Sequence, residues 1–296
     1  MSGLIPAPKL YPMQKSRSIL LAITACCFIT FSFIACKKDS KADSDTTPAQ
    51  DNSLAESNYN DVNTMVDASA NAGVSFSFRT ATNDNVAREE NIMGGCTTVT
   101  IDTVSTNRTI TIDFGTTNCL CADSRYRRGK ILATWTGKYR EAGTVVNITF
   151  DNYFVNDNQI KGTHKTTNMG LNTANHLVYK IEVAGSIVKA NNGGTITWAS
   201  TRNREWVEGS STPLNILDDT YSITGSASGT NASGDSYTIT ITQALVRKMS
   251  CYWFESGKVE VTPAGRLTRS LDYGSSGCDN KATVTIAGTV YNVLLP

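Results

Sequence analysis

From Val74 onward the apolar residues of this chain fall at every second position, in short runs separated by Gly, Asn, Asp and Ser. The runs are Val74, Phe76 and Phe78; Val99 and Ile101; Ile110, Ile112 and Phe114; Ile131, Ala133 and Trp135; Val146, Ile148 and Phe150. They continue through Leu177–Val183, Ile196 and Trp198, Tyr237–Ile241, Val259 and Val261, and Val284 and Ile286. A period of two places side chains alternately on the two faces of a strand, so each run predicts a strand with one buried face. Few gaps are long enough for crossover helices, so neighbours are expected to pair antiparallel through hairpins. Helical spacing occurs once, at Val62, Met65, Val66 and Ser69, and predicts an amphipathic helix over Asn58–Ala70, ended by Gly73. The fold expected is mainly β: an antiparallel β-sandwich or flattened barrel with one short N-terminal helix, as a single domain over residues 58–296.

An internal echo sharpens this. Ile112-Asp113-Phe114-Gly115-Thr116-Thr117-Asn118-Cys119 returns as Leu271-Asp272-Tyr273-Gly274-Ser275-Ser276-Gly277-Cys278. Downstream, Lys130–Gly137 matches Lys281–Gly288 in its Lys, Thr and Gly and in the parity of its apolar residues. Each copy opens on a cysteine, Cys96 and Cys251. Two pseudo-duplicated hairpin units are therefore expected. The repeated Asp113 and Asp272 alternate with apolar neighbours and precede a Gly, so both read as turn caps on the side away from the core.

The hairpin geometry predicts a bridge. Thr262-Pro263-Ala264-Gly265 is a turn signal midway between Cys251 and Cys278, which places them opposite each other within disulfide reach. By the duplication, Cys96 is expected to pair with Cys119. Cys121 is left over, although Cys119 and Cys121 share a face of an extended strand and either one is placed to pair with Cys96. A zinc site wants four nitrogen or sulfur ligands, and neither His164 nor His176 is near these cysteines in sequence, so no metal and no cofactor are expected.

Catalytic signatures are thin. Two histidines supply little for acid–base work, and GxSxG, HExxH, P-loop and strand-to-helix GxGxxG patterns are all missing. Among the four tryptophans, Trp135 and Trp198 keep the parity of core residues, and Trp253 sits beside Tyr252, Phe254 and a cysteine, which predicts packing against the bridge. Trp206, within Arg202-Asn203-Arg204-Glu205-Trp206, stands among charges and is the candidate for a ligand-stacking aromatic.

The N-terminal segment locates the protein. Lys15 and Arg17 precede Ile19–Ala35, which is uncharged, and Phe33-Ile34-Ala35-Cys36 is followed at once by Lys37, Lys38 and Asp39. A basic start, an apolar run and a small residue before a break form the layout of a secretory signal over residues 1–35, with Met13 as an alternative start. Phe33–Cys36 resembles the lipobox of bacterial lipoproteins, with Phe33 where leucine is commonest. The charged residues after Cys36 resemble lipoproteins of Bacteroidota. That resemblance implies an acylated Cys36, export, and attachment to the outer membrane, on its periplasmic face or at the cell surface. Residues 36–57, polar with almost nothing to bury, read as the lipidated cysteine and a flexible tether. Removing residues 1–35, which carry Lys9, Lys15 and Arg17 and no acid, leaves 24 basic against 26 acidic residues, a net charge of −2. Without a basic run, nucleic acid is not an expected partner. The function expected is a non-catalytic binding or adhesion module of the cell envelope, with the membrane as one partner and a glycan or a surface protein as the other. The alternatives are a glycan-binding accessory of a polysaccharide uptake system, which asks for an exposed platform at Trp206, and a glycan hydrolase, which asks for two close acids in a cleft.

Overall fold

The computed structural model describes residues 43–78, 95, 97–212, 215–275 and 277–295. The signal segment, Cys36 and the first residues of the tether lie outside the described residues, as does Cys96 and with it the expected Cys96–Cys119 bridge.

One helix, α1 (Thr47–Phe78), precedes the strands. In chain order these are β1 (Thr98–Asp102), β2 (Arg108–Asp113), β3 (Cys119–Leu120), β4 (Tyr126–Trp135), β5 (Val145–Val155), β6 (Asn158–Leu171) and β7 (Leu177–Val188). They continue with β8 (Thr195–Glu208), β9 (Thr220–Thr230), β10 (Ser236–Lys248), β11 (Ser256–Pro263), β12 (Arg269–Asp272), β13 (Lys281–Ile286) and β14 (Thr289–Leu294). All belong to one antiparallel sheet of 14 strands in chain order from β1 to β14, with β3 extending alongside the start of β4. The β prediction is met, and the antiparallel pairing follows from the short connections. The two-sheet sandwich is not what forms, and among the described residues the sheet begins at β1 and ends at β14 rather than closing into a barrel.

The helix explains the difference. It is 32 residues long, not a short segment over 58–70, and runs through Gly73 and the Val74–Phe78 alternation expected to be the first strand. Residues 43–57, expected as part of the tether, are ordered against the sheet, and Asp51, Asn52, Ser53 and Glu56 are buried. The helix is enclosed on nearly every side, by polar as much as by apolar residues: Asp51, Glu56, Asp61 and Asn63 are as buried as Ala55, Val62 and Met65. A period search for an apolar stripe therefore finds only its middle turns.

The sheet curls around this helix. Register shifts at Arg128/Lys130, Thr149/Phe154 and Thr240/Leu245 mark bulges, which bend a strand and increase its twist. Tyr59 is the pivot of the packing. Its ring stacks on Trp198 with centroids 5.4 Å apart, and its hydroxyl donates to the Lys161 carbonyl at 2.9 Å. The hydroxyl reaches that carbonyl because residue 185 is glycine: a Cβ there would lie 2.0 Å from the tyrosine oxygen. Across the helix, Arg125 Nη1 donates to the Tyr252 hydroxyl at 2.7 Å, and that hydroxyl shares a 2.6 Å hydrogen bond with Ser57 Oγ. The wall is bridged there by side chains rather than by a strand ladder.

The duplicated units lie at opposite ends of the strand order, β2 with β4 and β12 with β13. Asp113 accepts from the Gly115 amide at 2.8 Å and Asp272 from the Gly274 amide at 2.9 Å, so both cap their turns. Each also meets a lysine at 2.9 Å, but from different sides: Lys130 on the following strand for Asp113, Lys258 on the preceding strand for Asp272. Cys251 and Cys278 form the expected disulfide, with Cα atoms 5.5 Å apart. Cys121 is a free, buried thiol, so it is the cysteine left over.

Candidate functional site

A set of titratable groups is buried inside the curl. Asp61 of α1 sits between Arg125 at 2.8 Å and Arg127 at 2.7 Å, and Asp123 closes the group at 2.5 Å and 2.6 Å from the same guanidinium groups. Burial pushes both carboxyls up, but the arginines overcome it and hold Asp61 low and Asp123 at about 2. Two acids and two guanidinium groups balance to zero. One turn earlier in α1, Glu56 takes a forked contact from Arg202, 2.6 Å to Nη2 and 3.1 Å to Nε. One turn later, Asp67 accepts from Tyr139 at 2.6 Å and pairs with Arg204 at 3.2 Å. His164 is fully enclosed, and burial together with the charge of Arg204 lowers it to about 3, so it is neutral at neutral pH.

These groups fasten the helix to the wall. Glu56, Asp61 and Asp67 of α1 are each used by arginines and Asp51 by Lys189, which leaves none of them free to work as one of two close acids in a cleft. Asp219 is the exception in protonation. Burial raises it to about 6 against the hydrogen bonds from Tyr221 at 3.2 Å and Trp206 Nε1 at 3.1 Å. Those two donors are what Trp206 and Tyr221 do here.

Trp206 is therefore not an exposed stacking platform. It lies in β8 at 1% exposure, stacked on Tyr221 and with Arg140 over its ring at 4.6 Å. The parity of β8 carries the signal: residues 196, 198, 200, 202, 204 and 206 all face inward, so Trp206 is in phase with Trp198. Trp135 and Trp198 are buried as expected, and Trp253 meets Tyr252 edge-on beside the disulfide loop. His176 pairs with Glu205 at 2.7 Å at the far end of β7 and β8, well apart from His164 in chain and register. No group of three or more potential metal ligands occurs among the described residues.

The outward face of the same strands holds the concavity. A groove of about 980 Å³ crosses β6 to β11 and the turn after β11, at the upper end of the size usual for ligand sites. Its floor follows two cross-strand rows set by the register. One row is Ala184, Ala199, Ser228, Thr238 and Thr262; the other is Ser186, Thr197, Thr230 and Ser236. Thr197 Oγ1 and Thr230 Oγ1 share a 2.8 Å hydrogen bond across the floor. Arg266 stands at one end, paired with Asp45 at 2.7 Å. Small side chains at successive outward positions hollow the wall, and their hydroxyls both donate and accept. The sequence carries that signal only as pairs of small residues two positions apart in four strands. It becomes a row once the register is known.

No helix among the described residues is long and apolar enough to cross a membrane. Family models, curated proteins and solved structures give no match to this chain.

Proposed function

We propose that this protein is an exported, lipid-anchored binding module of the cell envelope that works without chemistry of its own, and that it takes an extended polar chain into the groove on its outer wall. The basic residues Lys15 and Arg17, the uncharged run Ile19–Ala35 and the small residue before Cys36 support export and acylation. The observation that carries the binding role is the floor of Ser, Thr, Ala and Gly across six strands, on the solvent face of a rigid sheet. A chain rich in hydroxyls or amides fits that floor, because Ser186, Thr197, Thr230 and Ser236 offer hydroxyls at successive strand steps of about 4.8 Å. The glycan reading thus rests on hydroxyl rows rather than on Trp206.

The test uses the full-length protein in detergent micelles on arrays of polysaccharides and extended peptides. Ala199→Trp fills the groove from an exposed position and should leave thermal unfolding nearly unchanged. At least one ligand is expected to bind the wild type and to lose more than about ten-fold in affinity, roughly 1.4 kcal/mol, in the variant. Binding that survives Ala199→Trp, or a wild type that binds nothing on either array, overturns the proposal.

A further inference from the structure

Six arginines are buried among the described residues, and five of them meet a carboxylate. Arg125 and Arg127 share Asp61, Arg202 has Glu56, Arg204 has Asp67 and Arg269 has Asp43. Arg247 of β10 is the sixth. It is 7% exposed, and no carboxylate among the described residues pairs with it. Its guanidinium group donates to the Trp253 carbonyl at 3.1 Å and lies 5.5 Å from the centre of the Tyr252 ring. Burial pushes Arg247 down to about 10, with the charge of Asp61 opposing and those of Arg125 and Arg204 adding to the fall. It is still a cation at neutral pH, and a buried cation without a counter-ion is costly.

Arg247 borders a small cavity of about 10 Å³, closed by Ser53, Ser57 and Asn60 of α1 and by Trp253 and Tyr273 of the wall. That is room for one water-sized occupant. Two hydrogen-bond donors on the same residues are orphaned. Trp253 Nε1 is buried without an acceptor, and an indole N–H can only donate. The Tyr273 hydroxyl, which burial keeps protonated, finds no hydrogen-bond partner although Ser53 is close by. The internal echo puts Phe114 at the position matching Tyr273, so this hydroxyl belongs to the second copy alone. The helix supplies no acceptor in compensation: Ser57 Oγ is shared with the Tyr252 hydroxyl, and Asn60 Nδ2 donates back to the Glu56 carbonyl at 2.9 Å. A positive charge and two spare donors thus surround a space the size of one atom.

We propose that this cavity is a binding site for a single monatomic anion, a halide with chloride as the common case, which serves as the counter-ion of Arg247 and as the acceptor for Trp253 Nε1 and Tyr273 Oη. A water molecule could take the two hydrogen bonds but would leave the guanidinium charge unbalanced. Carboxylates, phosphate and sulfate need several times the space. Seated there, the ion ties the early turns of α1 to the segment 249–255 that carries Cys251 of the disulfide. The site is separate from the outer-wall groove and does not depend on what that groove binds.

The experiment uses the full-length protein in detergent micelles, dialysed into sodium gluconate and titrated with sodium chloride at constant ionic strength. The unfolding temperature is expected to rise along a saturable curve with chloride and with bromide, and to show no saturable rise with sulfate. Trp253→Phe and Tyr273→Phe each keep the ring and remove one donor, and each is expected to raise the half-saturating chloride concentration several-fold. Arg247→Met should abolish the response; should that variant fail to fold, the two phenylalanine variants decide. Chloride carried through dialysis is read by ion chromatography after denaturation, so a flat titration with about one chloride retained per chain also supports the site. A flat titration with no chloride retained means that the cavity holds water only, and overturns the proposal. A saturable rise that Trp253→Phe and Tyr273→Phe leave unchanged places the halide elsewhere and overturns it as well.

Discussion

The two faces of this sheet are made by alternate residues of the same strands, yet they are built on opposite rules. Along β8 the inward positions are Ile196, Trp198, Ser200, Arg202, Arg204 and Trp206, large and charged, while the outward ones are Thr195, Thr197, Ala199, Thr201 and Asn203. The inner face is specific because Arg202 and Arg204 must meet Glu56 and Asp67 on α1. Slipping the helix by one turn would leave several buried charges unpaired at once. The outer face is a plain polar surface, dented where side chains are smallest. A buried ion pair adds little net stability over a well-packed apolar pair, but breaking it is costly, so the inner network acts mainly to fix where the helix lies.

The largest effect is therefore expected from Asp61→Ala. It leaves Arg125 and Arg127 sharing Asp123 alone inside the curl, and the loss should be about 3–5 kcal/mol, read as a fall in the urea midpoint with unchanged slope. A loss below about 1 kcal/mol would mean that water reaches the quartet and that the helix is held by packing on Tyr59 and Met65 instead. Next comes the disulfide, which lies outside the inner network. Cys251 and Cys278 are 27 residues apart, so the double replacement by Ala should cost about 3 kcal/mol through the entropy of the unfolded chain. Because the helix contacts are untouched, protection of α1 amides against hydrogen exchange should fall only in step with the global loss.

The pH dependence separates two acids of the interior. Asp219 is raised by burial to about 6. Its proton is held more tightly in the folded protein than in the unfolded chain, so its contribution is present below about pH 3.8 and is lost as pH rises through 6. Asp123 is held at about 2, and its contribution is present above about pH 3.8 and lost as pH falls toward 2. Asp219→Asn keeps an acceptor for Trp206 and removes the charge. It should raise stability by about 1–2 kcal/mol at pH 7 and by almost nothing at pH 3.5. Equal effects at both pH values would show that Asp219 titrates normally.

The strands were legible because each lies between a buried helix and solvent, which imposes the period of two on its side chains. The Cys251–Cys278 bridge was legible because a Pro-Gly turn fixes the hairpin centre. Asp113 and Asp272 were legible as caps because both precede a glycine. The helix was not legible beyond its apolar middle, because its partners are arginines distant in sequence. Asp51, Glu56, Asp61 and Asp67 look solvent-facing until Lys189, Arg202, Arg127 and Arg204 are known to face them. The Val74–Phe78 alternation spells a strand locally and continues the helix in context, so the start of the sheet was misplaced. Trp206 was misjudged for the same reason as the helix: charged neighbours such as Arg204 suggested a surface, whereas those arginines point inward with it.

The smallest effect is the one that most directly tests the contrast between the faces. Thr201 and Arg202 are neighbours in β8, one outward and exposed, the other inward and paired with Glu56 at 2.6 Å. Thr201→Ala together with Thr240→Ala removes two hydroxyls from the outward row that continues below the groove. Neither residue supports a buried polar group, and alanine only modestly lowers β-propensity, so the pair should cost less than about 1 kcal/mol in urea unfolding. Arg202→Ala, one residue along the same strand, should cost several times more, because it leaves Glu56 buried without its partner. If the two variants lose similar amounts, the outward hydroxyl rows are part of what holds the sheet in its curl, and the division between a structural inner face and a free outer face fails.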